Sequence, residues 1–143
     1  MEIVLDASVG VKWFNEKNEE DVEIALEIQK QKILSKLEII VPDLFFLEII
    51  NAFITRSTFA TEDILIMEEA LQKMNLKVVS PDHFILNEAI KVARDFNLTI
   101  YDSLYVAVAN FYSTQLLTGD KKILQSRNKL GFIKPLKEFK KIL

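Results

Sequence analysis

Short apolar runs along the chain are each followed by a polar break and then by apolar residues at helical spacing. Ile3, Val4 and Leu5 are apolar throughout, as in a central strand covered on both faces, and the run stops at Asp6, Ala7 and Ser8. Residues 9–14 read as a short helix and 15–18 as a polar break. A helix over 19–31 sets Val22, Ala25, Leu26 and Ile28 on one face, with acids in its first turn, where the helix dipole favours them. Residues 38–41 form a second strand, after which Pro42 and Asp43 open a helix over 44–56. Thr61, Glu62 and Asp63 cap a helix reaching Met74, and 76–79 is a third strand. Ser80, Pro81 and Asp82 start a helix with Phe84, Ile85, Ala89, Val92, Ala93 and Phe96 inward, ending near Asn97. Asp102 opens an almost wholly apolar helix that turns Leu104, Val108 and Phe111 to the core. After a turn at Ser113 and Thr114, residues 115–118 are a fourth strand. A helix over 120–129, a stop at Gly131, a fifth strand over 132–134 and a last helix over 137–142 complete the chain.

This alternation predicts an α/β fold: a three-layer α/β/α sandwich around a mostly parallel sheet of about five strands. No internal repeat and no linker rich in Gly, Ser or Pro divides the chain, so its 143 residues read as a single domain, 1–143. Half the residues are hydrophobic and ten are Phe, which sets disorder aside. With no Cys there is neither a disulfide nor a thiolate metal site. No apolar run is long enough to span a bilayer, and the acidic N-terminus lacks the layout of a signal peptide. The expected setting is therefore cytoplasmic, without membrane contact.

Charge is unevenly placed. Residues 119–143 hold eight basic side chains against Asp120 and Glu138, so this segment carries +6 and the rest −9 of the net −3. A basic segment on an acidic body is either an electrostatic footprint for phosphates, through Lys121, Lys122 and Arg127, or a solvated face of short helices.

Four acids stand out. In an α/β layer the end of a strand and the start of a helix share one edge of the sheet, where such folds place ligands. Asp6 follows the first strand, Asp120 follows the fourth, and Asp102 opens the helix between. Glu48 lies ~7–9 Å along its helix from the start, near enough to reach the same rim. Like charges a few ångströms apart repel and drive pKa values up, and a divalent cation relieves that. All-oxygen donors suit Mg²⁺ or Mn²⁺ rather than Zn²⁺.

Each residue also has a purely structural alternative. Asp6, Asp102 and Asp120 stand at helix starts and could serve as caps only. Glu48 is set among Phe45, Leu47, Ile49, Ile50, Ala52 and Phe53, where an ionised side chain needs a partner. Asn51, on the same helix face, could bond backbone, and Ser8 and Thr118 could be local caps. His83, at a helix start, is expected to be exposed and without a catalytic role.

Leu5-Asp6-Ala7-Ser8-Val9, Glu48-Ile49-Ile50-Asn51-Ala52-Phe53, the run from Tyr101 and Asp102 to Ala109, and Leu117-Thr118-Gly119-Asp120 together resemble the four motifs of PIN-domain ribonucleases. Length and motif spacing are similar to the VapC-type toxins of prokaryotic toxin–antitoxin pairs. The resemblance runs from Ile3 to about Leu124; residues 57–80 carry nothing diagnostic. It implies a homodimer, Mg²⁺ or Mn²⁺ held by Asp6 and Asp102 first and then Glu48 and Asp120, and support from Ser8, Asn51 and Thr118. It further implies endonucleolytic cleavage of RNA and a separately encoded antitoxin covering the active site.

A divalent cation that activates water and neutralises charge on a phosphodiester removes the need for a catalytic His. Hydrolysis leaving a 5′-phosphate and a 3′-hydroxyl is the expected reaction. Receiver domains and haloacid-dehalogenase phosphatases fit poorly, since a single acid follows the first strand and Asp6-Ala7-Ser8 is not Asp-x-Asp. The other open alternative is a PIN-fold RNA-binding or protein-interaction module with an inactive acidic pocket. Leu44, Phe45, Phe46, Leu47, Phe53, Ile54 and Phe59 are more apolar surface than one helix hides, so they are either core or a groove for an antitoxin or second subunit.

Overall fold

The computed structural model describes residues 1–15, 17, 19–56 and 58–142, the last two without their side chains. Five strands, β1 (Glu2–Leu5), β2 (Glu38–Pro42), β3 (Lys77–Val79), β4 (Gln115–Thr118) and β5 (Ile133–Pro135), form one sheet in the order β3-β2-β1-β4-β5. Every pairing is parallel. Consecutive residues Ile3, Val4 and Leu5, Ile39, Ile40 and Val41, and Leu116 and Leu117 are all fully buried. Side chains alternate between faces, so burial of both parities means that helices cover the sheet on both sides.

The chain winds outward from β1 through β2 to β3, then returns to place β4 on the other side of β1. The order of connections therefore reverses between β1 and β4, and open parallel sheets bind ligands beyond the carboxyl ends of the strands at such a switch point. Register pairs Leu5 with Leu117, and the Asp6 N–H continues the ladder to Leu117 O at 3.2 Å.

After β1, α1 (Ala7–Gly10) passes into a 3-10 turn (Val11–Trp13), where one helix over 9–14 was expected. Gly10 is required there by close approach rather than by φ: a Cβ would run into Ile49 Cδ1 and stand 2.7 Å from Phe45 Cζ. The next helix, α2 (Val22–Ile33), starts later than expected, with Asp21 left-handed before it and Glu19 in ion pairs with Lys12 and Arg56. Ala25 and Ile28 face the core and Leu26 is exposed. The expected break at 15–18 includes Glu16 and Asn18, which lie outside the described residues.

The apolar surplus on α3 (Leu44–Thr55) divides. Phe45 and Phe53 are fully buried, and Leu44, Phe46 and Phe59 pack on the core, whereas Leu47 is 69% and Ile54 63% exposed. The next helix, α4 (Thr61–Lys73), is preceded by Ala60, whose N–H is accepted by Asp63.

Asp82 caps α5 (His83–Phe96), accepting from Ile85 N–H at 2.9 Å, and Asn97 closes it in the left-handed conformation. Helix α6 (Ile100–Phe111) begins two residues before Asp102; Thr99 is its cap, accepting the Asp102 N–H. Leu104 and Val108 are buried as expected, but Phe84 is 59% and Phe111 50% exposed. These two rings stack edge-on to each other across α5 and α6, and so satisfy one another outside the core. After Asp120 the helix is shorter than expected, α7 (Lys121–Leu124), followed by turns to residue 129. A second 3-10 turn (Leu136–Glu138) and α8 (Phe139–Ile142) end the fold.

Candidate active site

Asp6 stands at the end of β1 with an extended backbone and does not cap α1. Its Oδ2 instead accepts from Ser8 Oγ at 2.6 Å and from Thr118 Oγ1 at 2.9 Å. Thr118 also takes the Asp120 N–H at 2.9 Å, and Ser8 takes the Gly119 N–H at 3.0 Å. Two hydroxyls thereby lace the end of β1 to the end of β4. Asp120 does cap α7: its Oδ1 accepts from the Lys122 and Ile123 N–H groups at 2.8 and 3.1 Å. Glu48, half-buried on α3, accepts from Tyr105 Oη of α6 at 2.7 Å through Oε1.

A common pattern emerges. Asp6, Glu48 and Asp120 each fix one carboxylate oxygen with protein donors and present the other. Among the described residues no hydrogen bond reaches Asp6 Oδ1, Glu48 Oε2 or Asp120 Oδ2. Asp102, half-exposed on the first turn of α6, completes the group.

The four acids act on one another electrostatically. Burial raises the pKa of Asp6 despite the bonds from Ser8 and Thr118, and the charges of Asp120 and Asp102 add to the rise. Glu48 is raised by burial, lowered in part by Tyr105, and raised again by Asp6, Asp102 and Asp120. Asp102 is raised by burial and Asp120, with Thr99 and Lys122 opposing. Tyr105 is pushed far up by burial and by the adjacent carboxylates, so its phenol stays a proton donor.

These oxygens suit a hard divalent cation: desolvated carboxylates with a spare lone-pair oxygen each and mutual repulsion to relieve. Among the described residues no three such groups already stand at the spacing of a closed metal cage. Beside the rim, Leu44, Leu47, Glu48, Asn51, Thr99, Tyr101 and Asp102 line a cleft of about 390 Å³.

The structure brings Asp6, Ser8, Thr118 and Asp120 into one bonded cluster, and electrostatic coupling ties Glu48 and Asp102 to it. Asn51 reaches the same cleft as an exposed side chain. Lys121 and Lys122 are exposed beside Asp120, whereas Arg127 is held by Glu138 at 2.9 Å. His83 is exposed, as expected. Tyr105 and Lys12 escaped the sequence reading: each sits in an apolar run that reads as helix core. The oddity of Lys12, a lone cation between Val11 and Trp13, was the one available signal.

Fold and site together define an α/β protein with a parallel sheet and four electrostatically coupled acids, Asp6, Glu48, Asp102 and Asp120. The PIN domain family model matches residues 3–129, and the chain belongs to that family. Its fold is similar to PAE2754 from Pyrobaculum aerophilum, at 24% identity and TM-score 0.65 over 96% of this chain and 90% of that one. It is also similar to a chain of VapBC-1 from nontypeable Haemophilus influenzae, at 14% identity and TM-score 0.66 over 96% and 99%. A chain of a toxin–antitoxin complex from Klebsiella pneumoniae aligns at 11% identity and TM-score 0.66 over 94% and 97%. No curated protein matches the sequence.

Proposed function

We propose that the protein is a metal-dependent endoribonuclease, the VapC-type toxin of a toxin–antitoxin pair, working in the cytoplasm. The observation that carries this reading is the coupling of four carboxylates: Asp6, Glu48 and Asp102 are raised in pKa by burial first, and the charges of neighbouring acids, Asp120 among them, add to each rise. Membership of the PIN domain family supports it.

Asp6, Glu48, Asp102 and Asp120 would hold Mg²⁺ or Mn²⁺. When bound, the cation supplies an activated water and neutralises charge developing on the phosphodiester. The chain's own residues do the rest. Ser8 and Thr118 hold Asp6 through Oδ2 and Tyr105 holds Glu48 through Oε1, which would leave Oδ1 and Oε2 for the ion. Asn51, which lines the neighbouring cleft, would support the metal-binding acids. Lys121 and Lys122 would bear on the RNA backbone, and Arg127 would do so only by leaving Glu138.

For partners, the fold likeness to toxin–antitoxin complexes supports an antitoxin. Leu47 and Ile54 on α3 and Leu65 and Ile66 on α4 are more than half exposed, and an antitoxin would cover them. Phe84, Ile90 and Phe111 on α5 and α6 offer a second apolar face suited to a homodimer. Among the described residues no helix is long and apolar enough to cross a membrane.

The test is cleavage of total RNA with Mg²⁺ or Mn²⁺, with and without EDTA, followed by mapping of the ends. Chelator-sensitive cuts leaving 5′-phosphates are expected. Inert, folded protein with either metal would instead favour an interaction module.

A further inference from the structure

Glu19 binds two cations at once. Its Oε2 accepts from Lys12 Nζ at 2.9 Å and its Oε1 from Arg56 Nη2 at 3.2 Å. The trio therefore has one positive charge in excess. An ammonium carries three donors and this pair uses one. Arg56 Nη1 is buried without a hydrogen-bond partner among the described residues. The cluster also borders the carboxylate rim: a Cβ on Gly119, between Thr118 and Asp120, would stand 3.9 Å from Lys12 Cε and 3.5 Å from Ser8 Oγ.

Stability alone explains this arrangement badly. The Lys12 side chain is 8% exposed, and desolvating a buried ion pair offsets most of its Coulombic gain, so an apolar residue there would serve the core as well. A phosphodiester, by contrast, has one negative charge and two non-bridging oxygens, the pattern that the Glu19 carboxylate offers to Lys12 and Arg56. The guanidinium fork matches phosphate geometry, and its unpartnered Nη1 would become a further donor once Glu19 moves aside.

We propose that Lys12 and Arg56 form a subsite for an RNA backbone phosphate flanking the scissile one, with Glu19 holding its place until that phosphate displaces it. Exchanging one anion for another leaves the local charge balance unchanged. The subsite rests on the reading of the protein as a ribonuclease, and it adds a contact beside Gly119 to those expected of Lys121 and Lys122.

The test is binding of a fluorescently labelled single-stranded RNA oligonucleotide over a range of KCl, in an Asp102→Asn background that leaves the oligonucleotide intact. Each phosphate contact contributes about 0.7 to the slope of log affinity against log salt for single strands. Lys12→Met should weaken binding several-fold and flatten the slope by about that amount. Glu19→Gln should tighten binding several-fold, because the competing carboxylate is gone, even though it removes two ion pairs and lowers Tm. Arg56→Gln, at a half-exposed side chain, carries the same expectation as Lys12→Met should that variant not fold. Weaker or unchanged binding in Glu19→Gln, or unchanged slopes in the cation variants, would overturn the subsite and leave the nuclease reading standing. Shifted slopes in a protein whose native form never cleaves RNA would remove the nuclease reading instead.

Discussion

The Tyr105 hydroxyl donates to Glu48 Oε1 at 2.7 Å across 57 positions of sequence, from a fully buried ring to a half-buried carboxylate. An acid on an otherwise apolar helix loses water, and the phenol gives back one donor. Because Tyr105 lowers the pKa that burial raises, it favours the ionised form of Glu48. Tyr105→Phe should move the acid limb of the cleavage profile to higher pH and cost about 1 kcal/mol in stability, a charged hydrogen bond discounted for partial exposure. A profile identical to wild type would detach Glu48 from the chemistry.

Asp6→Asn and Asp102→Asn should each reduce cleavage by more than about 100-fold, beyond what loss of a supporting residue costs. Circular dichroism should stay native and Tm should not fall, since Asp6→Asn removes a charge that burial disfavours. Full activity in either folded variant would dismantle the site.

Thr118→Val deletes a donor to Asp6 Oδ2 and an acceptor of the Asp120 N–H together. The expected result is a 10–100-fold weaker affinity for Mn²⁺ by calorimetry and about 1–3 kcal/mol lost from stability. Ser8→Ala should follow the same direction, because Ser8 bonds Asp6 and Gly119 in the same way. Stability loss without any change in metal affinity would make both residues mere braces.

Acid should stabilise the metal-free protein relative to its Asp6→Asn variant. Asp6, Glu48 and Asp102 have pKa values raised in the folded state, so the native site binds protons more readily than the unfolded chain. Stability therefore rises as pH falls through those raised values, and the gain is complete below the ordinary carboxylate range of about 4. Asp6→Asn should show a smaller rise, and saturating Mg²⁺ or Mn²⁺ should abolish it. Identical Tm–pH curves for wild type and variant would show that no such coupling exists.

Gly10→Ala tests the approach of α1 to α3. A methyl group gains about 0.5–1 kcal/mol in helix propensity, yet overpacking against Phe45 and Ile49 costs about 1–3. The clash should win, lowering Tm and, through displacement of α3 beneath Glu48, lowering activity as well. An unchanged or higher Tm would mean that the two side chains yield freely.

Much was legible in the sequence because it is locally written. The all-apolar run of Ile3, Val4 and Leu5 fixes a doubly covered strand, and the positions of Asp6, Asp102 and Asp120 relative to strand and helix ends assign them to one edge. Chain order could not reveal which atoms they use there. That Asp6 turns Oδ2 to Thr118, 112 residues away, follows from the β1–β4 register, which exists only once the whole sheet has closed. The same holds for Thr99 capping α6 in place of Asp102, for Phe84 and Phe111 stacking outside the core, and for Glu19 leaving α2 to join Lys12 and Arg56. Periodicity records which face of an element is apolar; only packing decides which polar atoms are left without water, and those are the atoms on which the chemistry depends.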